Sequence, residues 1–184
     1  MVGLATEATD RLSDAIGARF EALGYRLAGP PGAEAWPVAA GRLQWTATTE
    51  RRLTPGITTR FLVEAVLAVA VQPLSEHDMH ELVGAAGRIV QAQGAGDPRD
   101  VGKAAIPIIL CEQVSGAEPH LGRKNWHPFP YTFVAPALVD VEKAETYFAS
   151  GWTMAPAVRV PLARIIRTTV ADVVAASAAA RSPG

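Results

Sequence analysis

The chain has 184 residues, which fits one domain and provides a core large enough to be stable without disulfides or metals. Hydrophobic residues make up 49% and charged residues 19%, a globular composition that argues against an intrinsically disordered chain. The net charge of −1 argues against electrostatic binding of nucleic acid, and the single cysteine, Cys111, excludes an intramolecular disulfide and suits a reducing compartment.

The first predicted element is a helix from Thr6 to Leu23. Thr6 suits the N-cap position, and Gly24 suits the left-handed residue that commonly follows a helix. The apolar residues recur every three or four positions and so share one face: Leu12, Ile16, Phe20 and Leu23. We therefore expect this helix to pack on the rest of the domain through that face.

A strand and a turn are predicted next. Arg42 to Glu50 alternates in polarity, with Leu43, Trp45 and Ala47 on one face, as in a half-buried strand. The sequence Thr54-Pro55-Gly56 places proline and glycine in the order that a turn favours. The chain is therefore expected to reverse direction here.

Ile57 to Val71 is the longest predicted strand. Its first half alternates in polarity, whereas its second half, from Ala65 onward, is apolar on both faces. We interpret it as a central strand that forms an antiparallel hairpin with the preceding one and whose first half faces solvent or a partner. The side chains expected to contact a partner are Arg51, Arg52, Thr58, Arg60 and Glu64.

The middle of the chain is predicted to contain a helix and two strands. The helix runs from Ser75 to Gln93, with its first residue as the N-cap. Ala105 to Cys111 is a short apolar strand, and Pro107 favours a position at the sheet edge because proline cannot donate to a ladder. Tyr131 to Val139 is another strand, again with an internal proline.

The C-terminal part leaves one alternative open. Asp140 to Phe148 either continues the preceding strand or forms a short helix capped by its first residue. Val158 and Val160 are predicted to add a short strand. Pro161 suits the first turn of a last helix, from Leu162 to about Ala180.

The order of these elements predicts a single α+β domain over residues 1–184, with 113–130 as a long irregular loop and 181–184 as a frayed tail. Because the two best strands are adjacent in the chain, we expect an antiparallel or mixed β-sheet with a long central hairpin. Helices are expected to pack mainly on one face of this sheet.

Motifs for metal or cofactor chemistry are absent from the sequence. His77 and His80 lie three residues apart, a spacing used by helical metal sites, but the H-E-x-x-H pattern is missing. Gly94-Ala95-Gly96 follows a helix instead of a strand, unlike a dinucleotide fingerprint, and no P-loop sequence occurs. We therefore predict a non-enzymatic protein with no catalytic residue, no metal site and no cofactor.

Two alternative functions remain open. One is a small cytoplasmic enzyme in which Cys111 is the nucleophile and His120 or His127 is the base. An isolated cysteine is more often a small buried hydrophobic residue. The other alternative is a ligand-binding regulatory module with a pocket between the sheet and the helices.

The segment from Leu121 to Tyr131 is the most unusual one, because it combines aromatic, basic and proline residues. Rigid prolines and large aromatic rings suit a contact surface, since little entropy is lost on binding. The same composition also suits a loop that folds back to complete the core of its own domain. The candidate interaction residues are Arg123, Lys124, Trp126, His127, Phe129 and Tyr131.

The succession of an N-terminal helix, a long hairpin, a packed helix, further strands and a C-terminal helix resembles the tail-terminator and neck proteins of tailed bacteriophages. The resemblance is carried by Leu12 to Leu23, Leu43 to Val71 and Ser75 to Gln93. It implies a ring-forming homo-oligomer at the head–tail junction whose partners are its own copies and other virion tail or connector proteins. Its location would be the host cytoplasm during assembly and then the virion. No membrane partner is expected, and nucleic acid is not an expected partner.

Overall fold

Seven strands form one mixed sheet. The structure is a computed structural model, and it describes residues 2–30, 36, 38–55, 59–71, 73–92, 101–114, 121, 132–148 and 156–180. The strands are β1 (Arg26–Ala28), β2 (Gly41–Arg51), β3 (Arg60–Ala70), β4 (Val101–Cys111), β5 (Thr132–Val134), β6 (Ala137–Asp140) and β7 (Glu145–Phe148). The helices are α1 (Val2–Ala22), α2 (Glu76–Ala92), α3 (Pro156–Ile166) and α4 (Asp172–Ala179), and a π-helical segment (Arg167–Ala171) joins the last two.

The strand order is β1-β2-β3-β4-β6-β7, and β5 also pairs with β4. Strands β2 and β3 form an antiparallel hairpin whose register runs from Gly41↔Ala70 to Arg51↔Phe61. Strand β4 runs parallel to β3 and to β5 and β6, and β7 turns back antiparallel to β6. The predicted α+β class, the mixed sheet and the long central hairpin are thus confirmed.

The helices cover both faces of the sheet. Helices α1, α3 and α4 pack on one face, against β3 side chains such as Val63 and Leu67. Helix α2 packs on the other face, against side chains such as Val66 and Ala68. Strand β3 is therefore apolar on both sides from Ala65 onward, because each side meets a helix.

Helix α1 is anchored to β2 by a buried aromatic cluster. Trp45 Nε1 donates to Ser13 Oγ at 3.0 Å. The ring of Phe20 meets those of Tyr25 and Trp45 edge-on, with centroids 4.9 and 5.9 Å apart. Gly24 has the left-handed conformation expected after the helix, with φ of 82°.

Two details of the first helix differ from the prediction. The helix begins at Val2, so Thr6 lies inside it and is not its N-cap. Leu23 is 39% exposed, because α1 ends at Ala22 and the chain then leaves the packed face.

A bulge in β2 separates residues that were predicted to share a face. The pairing with β3 shifts between Leu43 and Trp45, so one extra residue interrupts the alternation. As a result Leu43 packs toward α2, whereas Trp45 and Ala47 pack toward α1.

The prediction that β4 lies at the sheet edge is wrong, since it pairs with β3 on one side and with β5 and β6 on the other. Ala135 N donates to Ala105 O, and Val141 N donates to Cys111 O, each at 2.9 Å. Odd-numbered β4 residues therefore turn their main-chain groups toward β5 and β6. Pro107 is tolerated there because its nitrogen faces the interruption between those two strands.

The segment after β6 is neither a continued strand nor a helix. It forms a four-residue turn, Val141 to Ala144, and returns as β7. Asp140 holds the turn, because its Oδ1 accepts from Lys143 N at 2.9 Å and its Oδ2 accepts from Val114 N at 3.2 Å. The hairpin therefore depends on a buried carboxylate that local pattern does not reveal.

The predicted strand at Val158 and Val160 is wrong, because both residues belong to α3. Pro161 is an internal helical residue and lacks the N–H that would bond to Ala157 O. The Thr54 hydroxyl, from the hairpin turn, donates to that carbonyl instead. A contact distant in sequence thus compensates for the proline and allows the helix to begin at Pro156.

The N-cap prediction for α2 is confirmed. Asp78 N donates to Ser75 Oγ at 3.2 Å, and Ser75 N donates to Asp78 Oδ2 at 3.3 Å. The predicted irregular loop at 113–130 and the predicted tail at 181–184 lie largely or wholly outside the described residues.

Candidate functional site

A cluster of arginines lies where β2 ends and β3 begins. Arg51, Arg52 and Arg60 are exposed there, and Arg164 of α3 lines a cleft together with Arg51. Glu50 offsets part of this charge, since its Oε2 lies 3.7 Å from Arg60 Nη2. We call these four arginines the basic end of the sheet.

The cleft at the basic end lies between the hairpin turn and α3 and has a volume of about 290 Å³. Apolar groups form most of its walls, and two guanidinium groups lie among them. The lining residues are Arg51, Leu53, Thr54, Pro55, Ala157, Val160, Pro161, Arg164 and Ile165. Such a cleft suits an apolar group that stands beside a carboxylate, because guanidinium pairs well with carboxylate oxygens.

Tyr25 connects the basic end to the buried aromatic cluster. Burial raises the pKa of the Tyr25 phenol above its ordinary value, and the nearby Arg51 guanidinium opposes part of this rise. The phenol is therefore neutral over the physiological pH range, and its ring packs against Phe20.

A cluster of glutamates lies at the other end of the strands. Glu112 follows β4, Glu142 lies in the turn after β6, and Glu145 begins β7, and all three are exposed. Lys143 lies among them, but its Nζ is 3.6 Å from the buried Asp140 carboxylate. We call the three glutamates the acidic end of the sheet.

The two ends face away from each other. Strands β3 and β4 have 11 residues each and pair in parallel from Arg60↔Val101 to Val69↔Leu110, so their starts share one end of the sheet and their last residues share the other. At roughly 3.3 Å per residue the two ends are about 35 Å apart. The exposed charges at the two ends are therefore mainly of opposite sign, although the net charge is only −1. Exposed Arg42, at the start of β2, also lies at the acidic end, where its Nη2 is 3.6 Å from Asp10 Oδ1.

The sequence-predicted interaction residues fall into two groups. Arg51, Arg52 and Arg60 are exposed, and all belong to the basic end. Thr58, Arg123, Lys124, Trp126, His127, Phe129 and Tyr131 lie outside the described residues.

The prediction that Glu64 is an exposed contact is wrong, since its exposed fraction is 0%. Glu64 lies on the α2 side of β3, between Thr48 of β2 and Ala105 of β4 in the pairing register. A strand flanked on both edges and covered on both faces leaves no solvent-facing position there.

Cys111 is buried in the sheet. Its exposed fraction is 1%, and its thiol donates to Val139 O at 3.2 Å. A thiol buried to this extent lacks the accessibility of a reactive nucleophile. The two histidines proposed as its base, His120 and His127, lie outside the described residues.

The histidine pair on α2 makes separate local contacts. His77 Nε2 lies 3.7 Å from Glu81 Oε1, and His80 Nδ1 lies 2.7 Å from Glu76 O. Among the described residues, no group of three or more His, Cys, Asp or Glu side chains is placed to hold a metal ion.

Sequence reasoning missed Arg164 and the whole acidic end. One local signal was available, because Glu142 to Glu145 is a charged interruption between the apolar residues of β6 and the aromatic residues of β7. Such an interruption is typical of a hairpin turn. Arg164 gave no comparable signal, since it joins Arg51 only through the packing of α3 on the hairpin turn.

Comparisons with protein-family models, with curated proteins and with solved structures find no match for this chain. Within the part of the chain that the structure describes, no helix is both long and apolar enough to cross a bilayer.

Proposed function

We propose that the protein is a structural subunit that assembles head to tail with copies of itself into a closed ring. The single observation that carries this proposal is the separation of charge between the basic end and the acidic end. Head-to-tail contact requires two different complementary patches on each subunit, and opposite charges at opposite ends supply such a pair. The contact closes into a ring when it rotates each copy relative to the previous one by an angle that divides a full turn.

Electrostatics alone provides a modest share of the binding. An exposed ion pair contributes about 0–1 kcal/mol, so several pairs together with apolar contacts are needed for a stable junction. Long-range attraction between the ends nevertheless orients two copies before they touch and raises the association rate. The assembly should therefore weaken as salt screens these charges.

The most specific form of the proposal is a tail-terminator or neck subunit of a tailed bacteriophage. The order of the helices and strands resembles that of proteins in this group. Those proteins act by contacting other subunits, as proposed for the two charged ends. Its other partners would be virion tail or connector proteins. It would be located in the host cytoplasm during assembly and in the virion afterwards.

Light scattering on the purified protein, followed by electron microscopy with added tail components, tests this proposal. We expect rings, and self-association that weakens as the salt concentration rises toward about 1 M, where the Debye length is about 3 Å. A strictly monomeric protein at every concentration and salt, which also binds no tail component, would contradict it.

A further inference from the structure

Two exposed apolar features lie at opposite ends of the molecule. Val71 follows β3 at the acidic end and is 69% exposed. Val160 lines the cleft at the basic end and is 51% exposed. Single exposed valines are ordinary. Here, however, Val71 lies at the same end of the sheet as the exposed Glu112, whereas Val160 lines a cleft together with Arg51 and Arg164.

A hydrogen bond between the hairpin turn and α3 holds the two sides of the cleft together. Pro161 leaves Ala157 O without its helical donor, and the Thr54 hydroxyl from the hairpin turn donates to it. This bond holds the turn against α3, so Leu53 and Val160 are positioned before any partner arrives. Preformed cavities bind more tightly because little ordering is needed on association.

The acidic end presents both an apolar and an acidic side chain to solvent. The parallel register ends at Val69↔Leu110, so Val71 and Glu112 both lie two residues beyond it at the same end of the sheet. Val71 N donates to Ala40 O at 3.1 Å, which fixes the main chain at this point. An exposed valine and an exposed carboxylate therefore follow directly after two neighbouring strands.

We infer that Val71 of one copy inserts into the cleft of the next copy, where Glu112 faces Arg51 and Arg164. The cleft suits an apolar side chain beside a carboxylate, and the acidic end of a second copy carries both. We therefore take a second copy of the chain as the occupant. This inference rests on the proposed function and assigns the residues that form its junction. The contact is heterologous, so each copy both inserts a valine and accepts one.

Disulfide trapping between two separate proteins tests the contact. One protein carries Val71→Cys and the other carries Val160→Cys, while the native Cys111 is buried and remains in both. The equimolar mixture should form a disulfide-linked dimer under oxidation. Neither protein alone should do so, because a heterologous junction brings residue 71 to residue 160 and not to another residue 71.

A substitution at Val71 gives an independent measurement. Val71→Arg places a longer, positive side chain opposite Arg51 and Arg164 and should weaken self-association at least about tenfold. Ala175→Arg, which adds the same charge on an exposed position of α4, is the matched control and should assemble like the native protein.

The outcomes separate this inference from the proposed function. If the native protein forms rings but the mixture yields no disulfide and Val71→Arg assembles normally, the Val71 junction is wrong and the ring proposal stands. If the native protein never assembles, both are wrong.

Discussion

At the scale of single residues, the Thr54 hydroxyl replaces the hydrogen bond that Pro161 cannot donate within α3. A proline within a helix removes one hydrogen bond, and the orphaned carbonyl costs free energy unless another donor reaches it. Sequence patterns place Pro161 in a first turn, since no local signal shows that Thr54, more than 100 residues earlier, supplies the donor at Ala157.

Thr54→Val should lower the free energy of unfolding by about 1–3 kcal/mol, because it leaves Ala157 O without a donor in a part-buried position. Thr54→Ser keeps the hydroxyl and is the control. Urea denaturation measures both. A valine variant as stable as the native protein would show that the hydroxyl contributes nothing there.

Burial of Tyr25 predicts that the stability of the folded protein depends on pH in the alkaline range. Its pKa is raised in the folded state, so its contribution to stability is complete below the ordinary tyrosine value of about 10 and is lost as pH rises through the higher folded value. In the native protein the free energy of unfolding should fall above about pH 10, and Tyr25→Phe should make this fall smaller. At pH 7 the substitution should change the free energy of unfolding little. Chemical denaturation across this pH range checks the difference, and identical alkaline curves would refute it.

Cys111 is expected to resist thiol reagents in the native state, because it is 1% exposed and donates to Val139 O. Labelling should proceed only after the protein is unfolded in denaturant. Rapid labelling of the native protein at neutral pH would instead support the enzyme with a cysteine nucleophile.

At the scale of elements, the close approach of β2 to α2 depends on a glycine. A Cβ at Gly41 would lie 2.7 Å from Leu82 Cδ2 and 2.9 Å from Val69 O, and the latter is a main-chain atom that cannot easily move. The hairpin and the helix therefore come together only because this position has no side chain.

Gly41→Ala should destabilise the protein by about 1–3 kcal/mol through this overpacking. Gly29→Ala is the control, since a Cβ there would meet no atom of the described residues within 4 Å. Thermal or urea unfolding distinguishes the two. Equal stability of both variants would show that β2 and α2 separate without cost.

The elements also show how far sequence reasoning reaches. Periodicity predicts α1, α2 and the β2–β3 hairpin, because these segments each bury a regular stripe. It fails at the β2 bulge, at Pro107 and at α3, where pairing partners or contacts distant in sequence decide the outcome. The sequence also reveals most of the basic end, because three of its four arginines lie close to the predicted turn after β2. The acidic end needs the parallel β3–β4 register, which brings the ends of separate strands together.

At the scale of the whole molecule, the charge separation along the strands accounts for both the proposed ring and its expected sensitivity to salt. The basic end and the acidic end lie on one rigid sheet, so attraction between copies favours a head-to-tail order over a symmetric pair.

Exchange of charge between the two ends tests this account most directly. One variant carries Arg51→Glu and Arg164→Glu, the other carries Glu112→Lys and Glu142→Lys, and sedimentation velocity at low ionic strength follows each alone and the two mixed. We expect each variant alone to be monomeric and the mixture to associate, because the unchanged acidic end of the first meets the unchanged basic end of the second. Variants that assemble alone like the native protein, or a mixture that stays monomeric, would contradict head-to-tail assembly through the charged ends.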